Sequence, residues 1–144
     1  YDARLLIEGH ALEVGMRAGR ATPAFVAGLE AIVDRQIAEL SRQTGEGLAE
    51  AIRLDREFHG HLANMGENRL LANWHGIVLL QTQTIRNYSL SRYALERVRR
   101  EHGEIVAAIR KGDPDIAIAA LRSHLKASCE EFTSRPPEDL PERT

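Results

Sequence analysis

The chain has 144 residues, of which 43% are hydrophobic and 28% are charged, a composition typical of one globular domain with a hydrophobic core. The net charge of −2 argues against a nucleic-acid-binding surface on this chain, and the single cysteine, Cys129, excludes an internal disulfide. No signal peptide or membrane-spanning stretch is recognisable, so we expect a cytoplasmic protein without a membrane partner.

Hydrophobic periodicity predicts an all-α fold, an antiparallel bundle of about six to seven helices. The first helix is expected from about residue 1 to 18. Thr22-Pro23 then opens the second helix with a hydroxyl cap and a proline at its first position. Gly45-Glu46-Gly47 is expected to end that helix, and the third follows over about residues 48–64.

The fourth predicted helix, capped by Asn68, has the most apolar sequence and is expected at the centre of the bundle. A fifth helix follows, and Asp113-Pro114 opens the sixth with an acidic cap and a proline. We expect residues 1–133 to form one domain. Residues 134–144 are rich in proline and charge and are expected to form a disordered tail.

Three of the predicted helices place a metal-competent side chain in a row of apolar residues. Asp55 and His59 lie one helical turn apart in the third helix, so both leave the same face. His102 takes an apolar position in the fifth helix, and His124 takes one in the sixth. Burial of four such groups is costly unless they are paired, and one cation would satisfy all of them.

Three imidazoles and one carboxylate suit a divalent transition metal. Zinc is the first choice, with nickel, manganese and iron as alternatives. Such a site often keeps a position for water or for the carboxylate of a small organic acid. A metal-free network of buried histidine–aspartate hydrogen bonds is an equally good interpretation of the pattern, which leaves both open.

The other polar candidates carry weaker signals. Arg4 and Glu8 lie four residues apart, and an ion pair along the first helix is the preferred interpretation. Alternatively, Arg4 reaches inward to hold a ligand carboxylate, for which a guanidinium group is suited. His61 follows His59 by two residues and is expected on the opposite, exposed face. His75 could face the centre, although a packing role is preferred.

Several short motifs occur in a fixed order along the chain: Arg4-Leu5-Leu6-Ile7-Glu8, Ala21-Thr22-Pro23, Asp55-Arg56-Glu57-Phe58-His59, Gly66-Glu67-Asn68-Arg69-Leu70-Leu71, and Glu101-His102 followed by His124-Leu125. In this series the chain resembles the FCD domain over about residues 1–127. That domain is the effector-binding C-terminal domain of the FadR-like branch of GntR-type bacterial transcription regulators. The ordered series is far more specific than any one motif.

The resemblance implies a helical bundle with a metal bound by Asp55, His59, His102 and His124. It also implies a small carboxylic-acid effector at or beside the metal, and we select Arg4 and Arg86 as its contacts. The domain is expected to form a homodimer. It would act on DNA only through an N-terminal winged-helix domain that we expect to be absent from this chain.

The alternative function is a metal-dependent hydrolase or transferase that uses the same ligands. Such an enzyme needs a general base, and only Glu57 and Glu101 are adjacent in sequence to the predicted ligands. Both are expected to point away from the centre, so we expect a sensor and not an enzyme. A third interpretation, a structural bundle without metal, predicts that a chelator leaves the melting temperature unchanged.

Overall fold

The computed structural model describes residues 1–86 and 95–133, with side chains for residues 1–82 and 95–130. Within these residues the secondary structure is entirely helical. The helices are α1 (Asp2–Arg17), α2 (Pro23–Ser41), α3 (Gly45–Asn64), α4 (Arg69–Arg86), α5 (Leu95–Lys111) and α6 (Pro114–Thr133). The predicted all-α helical bundle is confirmed. None of the described helices is long and apolar enough to cross a membrane. The predicted tail, residues 134–144, lies outside the described part of the chain.

Three of the predicted helix starts are confirmed by side-chain caps. The Thr22 hydroxyl accepts a hydrogen bond from the backbone N–H of Phe25 at 3.1 Å, with Pro23 as the first helical residue. The carboxamide oxygen of Asn68 accepts from two backbone N–H groups in the first turn of α4. The Asp113 carboxylate does the same for α6. Each cap satisfies donors that a helix start leaves unpaired.

The expectation that Gly45-Glu46-Gly47 ends the second helix is wrong. α2 ends at Ser41, and Gly45 begins α3, because Thr44 caps the helix by accepting from the backbone N–H of Gly47 at 3.0 Å. A Cβ atom at Gly47 would lie 2.5 Å from the carbonyl oxygen of Glu39. This glycine therefore allows α3 to approach the end of α2 closely.

The expectation that α4 lies at the centre of the bundle is also wrong. α4 packs against α1 and α3, but four of its large apolar side chains are 52–59% exposed: Leu70, Trp74, Ile77 and Leu80. Its opposite face buries His75, Leu79 and Thr82. Large apolar side chains lie on the exposed face as well as at Leu79 on the buried face, which is why hydrophobicity alone predicts an interior position.

α1 contacts the turn between α3 and α4 almost backbone to backbone. A Cβ atom at Gly15 would lie 2.6 Å from the carbonyl oxygen of Met65, and one at Gly66 would lie 3.0 Å from the Cα atom of Ala11. Arg20 adds a hydrogen bond, since its Nη1 donates to the Met65 carbonyl at 3.3 Å. This contact fixes α1 against the end of α3.

Candidate metal centre

The structure brings the four predicted site residues to one buried place. One ring nitrogen from each of His59, His102 and His124 lies within 4.8 Å of the others. Asp55 joins them, with its Oδ1 atom 3.6 Å from Nε2 of His102. All four side chains are 0–4% exposed. Three helices, α3, α5 and α6, therefore meet at a single polar centre inside the apolar core.

His59 is oriented by a glutamate from α1. Its Nδ1 lies 2.7 Å from Oε2 of Glu8, which is completely buried. Burial by itself raises the pKa of Glu8, but the Arg4 charge and hydrogen bonds from His59 and His75 outweigh burial and hold it well below its usual value. Glu8 is therefore ionised and can only accept, so Nδ1 of His59 carries the proton.

His102 is oriented by Gln36 from α2. The amide nitrogen of Gln36 donates to the backbone carbonyl of Ala51 at 3.2 Å, which fixes the side chain so that its oxygen faces His102. That oxygen lies 2.9 Å from Nδ1 of His102, and an amide oxygen can only accept. The Phe58 ring stacks on the His102 ring with centroids 4.3 Å apart. The ring is thus held in both orientation and tautomer.

His124 is oriented by Glu101 from α5, whose Oε2 accepts from Nδ1 of His124 at 2.8 Å. Burial raises the pKa of Glu101, but the His124 hydrogen bond and the Arg97 charge outweigh burial and bring it to about 2. The other carboxylate oxygen accepts from Arg97 at 3.0 Å and from Arg100 at 3.3 Å. Arg97 also donates to Ser128 at 2.8 Å, which ties the carboxylate to α6.

With every Nδ1 used as a donor, the three Nε2 atoms present their lone pairs to the centre. The Nε2 atoms of His59 and His124 are 3.2 Å apart. Lone pairs at this separation repel unless a proton or a cation lies between them. Two nitrogens bound to one zinc ion at tetrahedral angles lie about 3.3 Å apart. The donor set, its spacing and its outer acceptors all fit a divalent metal.

Burial also keeps the centre ready to accept a cation. It lowers the pKa of His59 to about 4, because desolvation of the charged ring outweighs the attraction of Glu8. At neutral pH this imidazole is therefore uncharged, which is the state that ligates a metal. Asp55, whose Oδ1 lies 3.6 Å from Nε2 of His102, could add a carboxylate oxygen to these nitrogens.

Arg4 is buried and contacts Glu8, which in turn contacts His59. Its Nε donates to Oε1 of Glu8 at 2.9 Å, so the predicted ion pair exists, and the side chain is 0% exposed. Its Nη1 and Nη2 atoms are buried without a hydrogen-bond partner. A guanidinium group with two unpaired buried nitrogens offers a site for an anion. Arg86 ends α4, and its side chain lies outside the described part of the chain.

Sequence reasoning did not find the groups that orient the ligands. Glu8 was interpreted only as the partner of Arg4, and Gln36 carried no signal. The expectation that Glu101 points away from the centre is wrong, since it accepts a hydrogen bond from His124. His75 is buried against Glu8, with its Nε2 2.9 Å from Oε1. His61 is exposed, as predicted. A search for carboxylates and amides on the buried faces of α1, α2 and α5 would have found the three acceptors.

Neither candidate general base is placed for that role. Glu57 pairs with Arg53 at 2.8 Å at the surface. Both oxygens of Glu101 accept hydrogen bonds, and its pKa of about 2 makes it a poor proton acceptor at neutral pH. Glu8, Gln36 and Glu101 instead orient the three histidine rings of the centre.

The described helices form a bundle around a buried polar centre whose three histidines could hold a metal ion. Comparison with known families assigns it more closely: the family model for the FCD domain matches residues 1–127, and the chain belongs to that family. The FCD domain is the regulatory, ligand-binding C-terminal domain of GntR-family regulators. No curated protein and no solved structure matches the chain.

Proposed function

We propose that this domain binds one divalent metal ion, zinc as first choice, and senses a small carboxylic acid beside it. The ligands would be Asp55, His59, His102 and His124. The observation that carries the proposal is the orientation of the three imidazoles, each held at Nδ1 so that Nε2 faces the common centre. When bound, the metal would satisfy the converging lone pairs and supply a Lewis-acidic position for an anionic ligand.

The second support for the proposal is the buried guanidinium group of Arg4. Glu8 neutralises its charge through Nε, whereas Nη1 and Nη2 remain as donors for two further acceptor atoms. A carboxylate presents two oxygens at the spacing of such a pair. The effector would therefore be held by the metal on one side and by Arg4 on the other. We retain Arg86 as a second proposed contact from the sequence.

The effector would act by differential affinity. It would favour one arrangement of the helices that supply its contacts, and this bias would reach a DNA-binding domain elsewhere in the cytoplasmic regulator. The DNA contacts would belong to that partner domain, since the net charge of this chain is −2.

We further propose that two copies pair through the outer face of α4. Its exposed side chains, Leu70, Trp74, Ile77 and Leu80, form an apolar stripe. Residues 70–85 contain no Asp, Glu, Lys or Arg, so a second copy could cover the stripe without burying a charge. Trp74→Glu should convert a dimer to a monomer in sedimentation analysis. A dimer that persists in Trp74→Glu and in Ile77→Glu would contradict this surface.

Metal analysis of the purified protein tests the metal site. We expect about one equivalent of metal in the wild type and its loss in His102→Ala and His124→Ala. His61→Ala is the matched control, because His61 is an exposed histidine on the same helix as His59. Unchanged metal content in both core variants would contradict the proposal and favour the metal-free hydrogen-bond network.

A thermal-shift screen of small carboxylic acids, with and without chelator, tests the effector. Arg4→Lys keeps a positive charge beside Glu8 but removes the paired nitrogens. We expect it to bind metal normally and to lose affinity for the carboxylate by roughly 10- to 100-fold, the range of a charge-assisted hydrogen bond. Equal affinity of the wild type and Arg4→Lys would contradict a role for Arg4.

A further inference from the structure

His75 links α4, whose outer face is exposed, to the candidate metal centre. It lies on the buried face of α4 and is 2% exposed. Its Nε2 atom is 2.9 Å from Oε1 of Glu8, while Oε2 of the same carboxylate is 2.7 Å from Nδ1 of His59. One carboxylate therefore joins α4 to a proposed metal ligand on α3.

The hydrogen bonds around Glu8 indicate how His75 can affect His59. Oε1 accepts from Arg4 at 2.9 Å and from His75 at 2.9 Å, and Oε2 accepts from His59 at 2.7 Å. Because the carboxylate is ionised, all three partners must donate. Two donors from different helices, α1 and α4, thus hold Oε1 in place and set the direction in which Oε2 faces His59.

We propose that His75 is a positioning residue for the metal centre. By fixing the rotation of the Glu8 carboxylate, His75 fixes the ring orientation and tautomer of His59, and so makes metal affinity depend on where α4 lies. This inference rests on the proposed metal site. It adds that α4, which contributes no proposed ligand, controls how well the site binds its metal.

His75 and the exposed apolar side chains lie on different faces of the same helix, α4. Trp74, the preceding residue, lies on the opposite, half-exposed face of α4. The shift of α4 that a partner on the outer face imposes would carry His75 with it, because a helix moves as a rigid element. Metal or effector binding and contacts on the outer face would then influence each other reciprocally.

A merely structural role for His75 makes a different prediction. Leu79 lies one turn later on the same buried face of α4 and is 5% exposed, and it has no polar atom to offer Glu8. If His75 only anchors α4, then loss of Leu79 packing should affect the metal centre as much as loss of His75 does. Leu79→Ala is thus the matched control.

Titration with cobalt(II), followed by its visible absorption, tests the proposal in three variants. His75→Leu should weaken cobalt binding about tenfold and change the absorption spectrum, in line with the loss of an outer hydrogen bond at a metal site. His75→Gln, whose amide can still donate to Oε1, should restore affinity to within about threefold. Leu79→Ala should lower the melting temperature and leave affinity and spectrum unchanged.

Histidine ring 15N chemical shifts of the metal-free protein give a second readout. The wild type should show the Nδ1-protonated tautomer of His59, and His75→Leu a mixture of tautomers. If His75→Leu does not fold, His75→Asn, whose shorter amide stops short of Glu8, takes its place.

The outcomes separate this inference from the metal site itself. A wild type that binds no cobalt overturns the proposed function, and the nitrogen shifts then decide the role of His75 alone. A wild type that binds cobalt, with His75→Leu unchanged or Leu79→Ala equally weakened, overturns only the positioning role.

Discussion

Two histidines of the same centre are oriented by glutamates in contrasting surroundings. Glu8, which holds His59, is 0% exposed and is shared by Arg4 and His75, both buried. Glu101, which holds His124, accepts from Arg97 and Arg100, and the Arg100 side chain is 66% exposed. Glu101 is itself 8% exposed, so both glutamates are buried, but only Glu101 is paired with arginines that reach the solvent.

This difference predicts which side of the centre is more sensitive to substitution. A buried ion pair is costly to break, because removal of one partner leaves an uncompensated charge in a low dielectric. An ion pair near the surface loses little, because water replaces the missing partner. The His59 side should therefore be rigid and intolerant of substitution, whereas the His124 side should tolerate changes.

The largest expected effect is that of Glu8→Gln. This variant leaves the buried Arg4 guanidinium without its counter-charge, so we expect a loss of about 3–5 kcal/mol in the free energy of unfolding. Glu101→Gln should lose only about 1 kcal/mol, because its arginine partners can turn to water. Urea denaturation of both metal-free variants measures the contrast, which equal losses would refute.

Metal removal should come next in size. A metal that binds only the folded protein adds about 3–4 kcal/mol of stability at 100 to 1,000 times its dissociation constant. Chelation of the loaded wild type should therefore lower the melting temperature by roughly 10 °C. The effect should nearly vanish in His124→Ala and persist in His61→Ala. A chelator without effect on the wild type would support the metal-free network.

In the metal-free protein, His59 and Glu101 should lose their contributions to stability in different ranges of pH. Folded His59 has a pKa of about 4 against a usual 6.5, so the unfolded chain takes up its proton first. The free energy of unfolding should fall between pH 6.5 and 4, by on the order of 3 kcal/mol, and that loss should level off below pH 4.

Protonation of Glu101 should lower the free energy of unfolding further, in a second and lower range of pH. Its folded pKa of about 2 lies below the usual 4.5, so its contribution is complete above pH 4.5 and is lost as the pH falls towards 2. This loss should be smaller, on the order of 1–2 kcal/mol, because water screens the arginines. In urea titrations, Glu101→Gln should abolish only this window. A single window that disappears entirely in Glu101→Gln would contradict the assignment to His59.

The smallest expected effects are those of substituting Arg97 and Arg100, the two arginines that donate to Glu101. Arg97→Ala removes hydrogen bonds to Glu101 and Ser128 and should lower the free energy of unfolding by about 1 kcal/mol. Arg100 is mostly exposed, so Arg100→Ala should change it by less than about 0.5 kcal/mol. Thermal denaturation of the two variants measures this ranking, and the reverse order would show that Arg100 holds Glu101.

Periodicity was sufficient to predict the fold class and the burial of Asp55, His59, His102 and His124. It identifies which face of a helix is buried, and Asp55 and His59 share such a face with apolar neighbours. A polar residue on a buried face needs partners, and this argument linked His102 and His124 to them. The caps at Thr22, Asn68 and Asp113 could be read locally, because they depend on residues two or three positions away.

Periodicity does not identify which buried faces meet. Glu8 and His59 are 51 residues apart, and Gln36 and His102 are 66 apart, so their pairing depends on helix packing. α4 was misplaced for a related reason. An apolar stripe on Trp74 and Ile77 looks the same in sequence whether another helix of the chain covers it or not. The expectation that Glu101 points away from the centre is wrong, because its contact with His124 on α6 cannot be inferred from the sequence.

The glycine contact between α1 and the α3–α4 turn also determines the position of Glu8, which lies in the middle of α1. Gly15 lies seven residues after Glu8, two turns along the same helix face, and a methyl group there has no room beside Met65. A Gly15 variant would have to slide α1 along α3 and draw the Glu8 carboxylate out of line with the His59 ring. A substitution at this position, two helical turns from Glu8, would therefore be observed as a loss of metal affinity.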